Sequence, residues 1–588
     1  MTSHEVPSLH DQIAAHVEAA IARVRPELTD VDPLVRRSEH ADFQSNAALA
    51  LAKATRANPR QLAESIATEL RSDADDPIAE VALSGPGFLN VTVNDTAVWG
   101  QVAARLGADR LGVRATEAGR RTVIDYSAPN IAKEMHVGHL RTTIIGDSIA
   151  RVLGFLGGDV VRQNHLGDWG TQFGMLIQYL DEHPDASWHT AELDADTTAV
   201  SALDTLYKQA RALFEADDAF ADRARLRVVA LQAGDPDTLA KWRDIVAESE
   251  AVFRDIYARL GVLLQPEDSV GESFYNPMLA DTVDELVAAG IAVTSDDAVV
   301  IFSDEVTGPD GNPVPLMVRK RDGGYGYDTT DLATIRYRIH ELKADRLLYV
   351  TDSRQALHFQ LIFEAARRAG WLTDGVIAEH VPYGTVLGPD GRPFKTRAGG
   401  TVRLNDLLDA AVAGARDVVA EKNPDMPGEQ LDAIAAFAGI GAIKYADLST
   451  SRVKDYTFDL SRMVSLNGNT GVYLQYAHAR ICSILAKAEH LPRQVDRALP
   501  LHPAERALSL LLDGFGGIIT EVAEALEPHR LCGYVYDVAR AFTAFYEACP
   551  VLKTEDPVRG NRLALCELTA RTLGHGLELL GIYAPSRM

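Results

Sequence analysis

At 588 residues the chain is too long for a single hydrophobic core, because cores stop growing near ~250 to 300 residues, and three or more domains are expected. Hydrophobic residues at 46% and charged residues at 24% match average soluble domains, which excludes wholesale disorder and fibrous architectures. The 58 Lys and Arg against 83 Asp and Glu, formally -25, disfavour a nucleic-acid partner taken alone, yet an acidic body can still bind RNA through a local basic surface.

The N-terminus, MTSHEVPSLHDQIAAHVEAA, carries acids and histidines where a signal peptide needs a basic start and an apolar run. No stretch approaches 18 uninterrupted apolar residues, so a cytoplasmic protein without a membrane partner is expected. The first hundred or so residues repeat apolar positions at three and four, the helical period. They are followed by the alternating VALSGPGFLNVTV, a strand pair around Gly85, Pro86 and Gly87. Residues 1–115 thus read as an α+β appendage. From Thr122 the runs TVIDYS, DVVRQNHL, RLLYVTDS and HVPYGTVLG are each followed by a helical stretch or a Gly-rich turn, the pattern of a parallel, doubly wound sheet. The second and third runs are separated by about 170 residues, too many for a crossover, so a largely helical insertion at about 181–300 is expected to split a Rossmann-like domain spanning 116–455. Residues 456–588 are almost purely helical in pattern and read as a bundle. The expected fold is multidomain α/β: a split Rossmann-like parallel sheet, an α+β N-terminal appendage and an all-α C-terminal bundle. Cys482, Cys532, Cys549 and Cys566 form no C-x-x-C pair and read as reduced core thiols, and no protein-bound metal is expected.

The sharpest segment is DYSAPNIAKEMHVGHLRTTIIGD, from Asp125 to Asp147. A strand ends in a Pro-containing turn, and a helix starts near His136 and His139, three apart and on one face. An H-x-x-H alone is more often structural than chemical. At a helix N-terminus after a strand, however, free N–H groups and the macrodipole hold phosphates, and Gly138 lets a nucleotide approach the backbone. Imidazoles placed there can hydrogen-bond an α-phosphate as negative charge builds, without transferring protons.

His136-Val137-Gly138-His139 resembles the HIGH signature of the class I aminoacyl-tRNA synthetases, and the flanking S-x-P-N-I-A-K resembles the arginyl branch. NHLGDWGTQFG, GYGYDTTDLA, LYVTDSRQALHFQ, GTVLGPDGRPFKTRAGGTVRL and LLGIYAPSRM follow in order as arginyl-type segments, while ADFQSNAALALAK and SGPGFLNV resemble the appended domain of that branch. The resemblance spans essentially the whole chain. It implies an ATP-dependent ligase with Mg2+-ATP as substrate, which activates L-arginine and transfers it to the terminal ribose 2′-hydroxyl of tRNA(Arg). It further implies that activation waits for bound tRNA and that the enzyme is a monomer.

A guanidinium with five fixed donors demands carboxylates and other acceptors in a desolvated pocket. Tyr327 and Asp331, four apart, share a helix face, and the resemblance implies that Asp331 takes the guanidinium beside Tyr327. Without the motif, an ordinary helix carboxylate and a core tyrosine describe them equally well. Asp125, Ser127, Asn130 and Gln355 complete the expected arginine pocket. Gly384 and Val386, on a strand that could otherwise be plainly buried, are expected beside the adenine. The loop Phe394-Lys395-Thr396-Arg397-Ala398 aligns with the KMSKS loop of class I enzymes but departs from it at both lysine positions. Lys395, Arg397 and Lys133 therefore compete for the role of stabilising the leaving pyrophosphate. The turn around Asp168 and Trp169 is expected to border the arginine and terminal-adenosine pockets, though a structural turn is equally compatible. Gln475, Tyr476, His478 and Arg480 form a polar and aromatic cluster suited to loop bases of tRNA, or equally a helix mixing core and solvent positions.

Other readings stay in view. A glutamyl- or cysteinyl-type synthetase is disfavoured by the acidic side-chain pocket and the missing zinc cysteines, and a nucleotidyltransferase by the large helical C-terminus. A catalytically dead RNA-binding paralogue is disfavoured by the intact His136, Gly138, His139, Asn130 and Asp331.

Overall fold

The computed structural model describes residues 5–70, 77–194, 197–309, 311–394, 402–488 and 494–588. Strands β1 (Arg121–Asp125), β2 (Asp159–Leu166), β3 (Ser269–Gly271), β4 (Arg346–Tyr349) and β5 (Ile377–His380) form one parallel sheet. Its order, β3-β2-β1-β4-β5, is doubly wound, and such sheets take ligands beyond their carboxyl ends where the order reverses, here between β1 and β4. Helix α1 (Val137–Phe155) crosses from β1 to β2, α2 (Tyr327–His340) precedes β4, and α3 (Ala356–Arg368) joins β4 to β5.

The connection between β2 and β4 is largely helical, and it also carries strands. Four helices, from Thr171–Glu182 to Pro236–Leu260, lead into β3, which rejoins the sheet beside β2. An antiparallel three-stranded sheet of Val293–Ser295, Ala298–Thr307 and Pro313–Arg319 follows. β3 has three residues, too few for periodicity to reveal. Within HVPYGTVLG, Val386–Leu387 leaves the main sheet and pairs with Tyr456–Thr457 instead.

The strand pair around Gly85 to Gly87 is present as Ile78–Ser84 and Phe88–Val93, within a four-stranded antiparallel sheet backed by helices. This N-terminal body docks on the C-terminal helices through buried charge. Arg506 bonds Asp42 and Asp95 at 2.5 and 2.7 Å, and Arg105 bonds Asp513 at 2.7 Å. The helices Gly428–Leu448, Gly471–Lys487, Pro503–Asp513, Phe515–Ala525, His529–Ala548 and Val558–Leu579 pack onto α1 and one another, sharing one continuous apolar core with the α/β body. No described helix is long and apolar enough to cross a membrane.

Helix α1 is buried nearly all round, including Arg141 in its second turn, at 0% exposure. The guanidinium pairs with Asp447 at 3.1 Å, donates to the Gly384 carbonyl at 2.7 Å and to Lys454 O at 3.2 Å, and lies over the Tyr456 ring. A fully buried charge is tolerated only with such a complete set of partners. Removing one partner strands the other, so Asp447→Ala is expected to destabilise the protein by about 3 kcal/mol or more, read as a lowered midpoint in thermal and urea unfolding.

Candidate active site

His136 occupies the N-cap of α1. Its Nδ1 accepts from the Gly138 N–H at 3.0 Å, and His139 Nδ1 accepts from the His136 N–H at 3.0 Å, a reciprocal cap that satisfies two otherwise orphan donors. A backbone N–H can only donate, so each Nδ1 is unprotonated and each Nε2 carries the hydrogen. The rings lie 4.0 Å apart. Burial, then the nearby Arg354, lowers the His136 pKa, and burial, then His136 itself, pulls His139 down to about 3. Both are therefore neutral donors at physiological pH. Gly138 serves this cap directly, since a Cβ there would meet His136 ring atoms at 2.9 and 3.0 Å.

Between β1 and α1 the backbone is strained. Ser127, Ala128 and Ala132 have φ of 76, 48 and 60°, a conformation costing non-glycine residues of order 1 kcal/mol each. The surroundings impose it. Ser127 is buried, its hydroxyl bonded to Tyr257 at 2.7 Å and its N–H to Thr142 at 3.1 Å, so it shapes the loop and is not open to a ligand. Asn164 accepts from Ala128 N–H, and Gly167 exchanges backbone bonds with Pro129 and Ile131. A Cβ on Gly167 would strike Asn130 Oδ1 at 2.4 Å. The turn around Asp168 thus presents Asn130, which is exposed.

Asp331 lies on the first turns of α2, below Tyr327, whose ring is 72% exposed. Its Oδ2 bonds His358 Nε2 at 2.6 Å, while His358 Nδ1 lies 3.5 Å from Asp328 Oδ1. Burial opposes charge on His358, but hydrogen bonds and charge from Asp328 and Asp331 outweigh it and raise the imidazole to about 9. Asp125, by contrast, is turned inward. Its carboxylate bonds the buried Arg338 at 2.7 Å, and that guanidinium lies over Tyr349 and also bonds Gln163. Already neutralised, Asp125 underpins the pocket floor. Gln355 is exposed at the N-cap of α3.

Glu272 was not singled out by its sequence. It opens a helix after β3, and burial with the charges of Asp168 and Asp331 raises its carboxyl to about 8. Asp168 is held by Ser273 N–H and hydroxyl at 2.8 and 2.6 Å, and burial raises its pKa too. A patch of largely buried carboxyls that repel one another is suited to a cation with several donors. Neither His358 nor Glu272 carries a local pattern: His358 lies within the segment LYVTDSRQALHFQ, whereas Glu272 lies outside every motif segment.

Gly384 approaches the chain at Lys454 and Asp455 so closely that a Cβ would lie 2.6 Å from Asp455 Oδ1, and Val386 is buried. Lys395 and Arg397 lie outside the described residues. The flanks of their loop do not: Phe394 N–H bonds Val386 O, and Arg403 bridges His136. Lys133 rests its ammonium 5.3 Å from the Tyr207 ring, on the inserted helices. Arg354, which sequence reasoning passed over, is an exposed cation paired with Asp352 and acting on His136.

In the C-terminal bundle the four candidate residues divide between two faces. Gln475 Nε2 donates to Tyr583 O and His478 Nδ1 bonds Pro585 O, so both clamp the C-terminal tail and are buried. Tyr476 and Arg480 point the other way and are exposed, Arg480 lying 5.0 Å over Tyr546. Among the described residues no group of three or more His, Cys, Asp or Glu could hold a metal ion.

Comparison with known proteins agrees along the chain. Residues 101–460 match the profile of tRNA synthetases class I (R), catalytic domain, residues 474–588 the DALR anticodon binding domain, and residues 11–93 the arginyl tRNA synthetase N terminal domain. The chain is 69% identical to an arginine–tRNA ligase of Frankia casuarinae over all of both chains. It is 52% identical to that of Streptomyces coelicolor, covering 99% of this chain and 100% of that one. Among solved structures, the arginyl-tRNA synthetase of Plasmodium falciparum superposes with a TM-score of 0.83 at 29% identity and that of Thermus thermophilus with 0.81 at 26%, each alignment covering 99% of this chain and all of the other.

The depressed His139 pKa fixes a pH response. Below its unfolded value of about 6.5 the unfolded chain binds a proton that the folded site refuses, so stability is full above that pH and falls towards pH 3. On the order of 1 kcal/mol should be lost by about pH 5.5, and His139→Gln should remove that part of the acid limb in urea titrations.

Proposed function

The chain belongs to the arginyl-tRNA synthetases, and on that premise we propose how its residues carry the reaction. The enzyme is an ATP-dependent arginine–tRNA ligase that charges tRNA(Arg). In the first step an arginine carboxylate oxygen attacks the α-phosphorus of Mg2+-ATP and pyrophosphate departs. In the second the terminal ribose 2′-hydroxyl attacks the adenylate carbonyl and AMP departs. Neither step needs a covalent enzyme intermediate, so the protein contributes position and charge.

The observation that carries this reading is the reciprocal histidine cap. It leaves two neutral Nε2–H donors at the start of α1, beside the switch point of the sheet, where they can bond α-phosphate oxygens as charge accumulates. Because burial disfavours charge on both imidazoles, they act as fixed donors. Asp331 and Tyr327 take the guanidinium, with Asn130 and Gln355 at the rim, while Asp125 and Ser127 support the pocket from beneath. Gly384 and Val386 border the adenine. Lys133, Lys395, Arg397 and Arg354 are the cations available to the leaving pyrophosphate. Tyr476 and Arg480 face the anticodon loop, and Gln475 and His478 hold the tail beside them. Residues 1–115, 116–455 and 456–588 serve as tRNA-contacting, catalytic and anticodon-binding parts of a cytoplasmic monomer.

Arginine-dependent ATP–pyrophosphate exchange, with and without tRNA, tests this. Exchange requiring both arginine and tRNA is expected, and no exchange from folded protein would leave only RNA binding. Asp331→Ala should raise the arginine KM by roughly a hundredfold, as expected for a lost charge-assisted bond of about 3 kcal/mol, with the ATP KM little changed. Lys133→Ala should lower kcat about tenfold, and unchanged turnover would remove Lys133 from the phosphate-stabilising set.

A further inference from the structure

We propose that His358 is a placeholder cation: its imidazolium occupies the carboxylates of the empty arginine pocket and gives up its proton when a guanidinium arrives. This rests on the assignment of Asp331 to that pocket.

Two contacts define the arrangement. His358 Nε2 is 2.6 Å from Asp331 Oδ2 and Nδ1 is 3.5 Å from Asp328 Oδ1, so both ring nitrogens face carboxylates of α2. Asp328 is anchored in turn by the Met317 N–H at 2.9 Å. On the near side of α3, Arg354 is turned to Asp352, and Phe359 packs edge-on to the imidazole. A third acid, Glu272 on the helix after β3, has its carboxyl pushed up to about 8 by burial and by the charges of Asp168 and Asp331. Asp328, Asp331, Glu272 and Asp168 thus form a gathering of acids that the one imidazolium only partly offsets, an excess of acid suited to an arriving guanidinium.

A second cation on Asp331 must share it with His358. The two repel, and the arriving guanidinium, whose pKa exceeds 12, keeps its charge, so the imidazole is the group that yields. Losing the Nδ1 proton costs only the long contact to Asp328. The short Nε2–H bond to Asp331 survives in the neutral ring, so the carboxylate stays aimed while its negative charge is released to the substrate. His358 acts through Asp331 and is a positioning residue.

Butylguanidine is a suitable probe, since it carries no group that titrates below about pH 12. Its binding is measured by calorimetry in buffers of different ionisation enthalpy, in a Glu272→Gln background so that His358 is the group titrating in range. At about pH 8, release of roughly half a proton or more per bound probe is expected, and about tenfold tightening between about pH 7.5 and 9.5. His358→Gln should bind at least as tightly at about pH 7.5, with neither proton release nor pH dependence, while His358→Arg, a cation that cannot leave, should bind at least tenfold more weakly. Absence of proton release, or release undiminished in His358→Gln, overturns the proposal. Asp331→Ala separates the two ideas: unchanged butylguanidine binding there overturns the pocket assignment itself, whereas weakened binding beside a silent His358 overturns only the placeholder.

Discussion

Arg141 is the point on which the catalytic geometry turns. A guanidinium with no solvent exposure, in the second turn of the helix that begins with HVGH, must direct its donors to something, and it directs them to Asp447, Gly384 and Lys454. Those partners belong to a C-terminal helix, the strand Val386–Leu387 with its preceding turn, and the segment that pairs with that strand. One side chain thus sets the depth of that strand relative to the imidazole pair. Arg338 does the same beneath the carboxyl ends of the sheet, joining β1 and β2 through Asp125 and Gln163. Buried arginines with several fixed partners act here as rulers, because a planar donor fork tolerates little displacement without losing a bond.

The charge arrangement around the carboxyl ends of the strands follows a single logic. Acidic side chains gathered at these strand ends repel each other, and the protein handles each differently. Asp125 is neutralised permanently by Arg338, Glu272 keeps its proton, Asp168 is held by Ser273, and Asp331 is paired with an imidazolium. Neutral imidazoles at the start of α1 complete the contrast: donors stand on one helix, acceptors on another.

Motifs were legible in the sequence where function is written as a contiguous string. The HVGH turn, the strands TVIDYS, DVVRQNHL and RLLYVTDS, and the helical C-terminus could all be read from residue order and period. What could not be read depends on partners far away along the chain. Nothing near Asp125 announces that its carboxylate is bonded to Arg338, which stands 213 residues later. Ser127 looked like a ligand group because Tyr257, its partner, lies on an inserted helix. Gln475 and His478 share a helix with Tyr476 and Arg480, and only the return of the C-terminal tail decides which face is covered. Gly138 was read as making room for nucleotide, whereas the observed crowding is with His136. Residues of one motif can thus divide between touching a ligand and holding those that do.

The apolar core has a consequence for how the molecule breaks. Side chains from the parallel sheet, the inserted helices and the C-terminal bundle form one uninterrupted cluster, from Trp99 through Ile149 to Leu577. Folding units separated by solvated linkers can melt independently, but a shared interior has no seam along which to do so. These three parts of the chain therefore unfold as one cooperative block. A fragment cut near the end of the α/β region would bare a broad greasy face, so that partial proteolysis ends in aggregation and not in a working minimal enzyme.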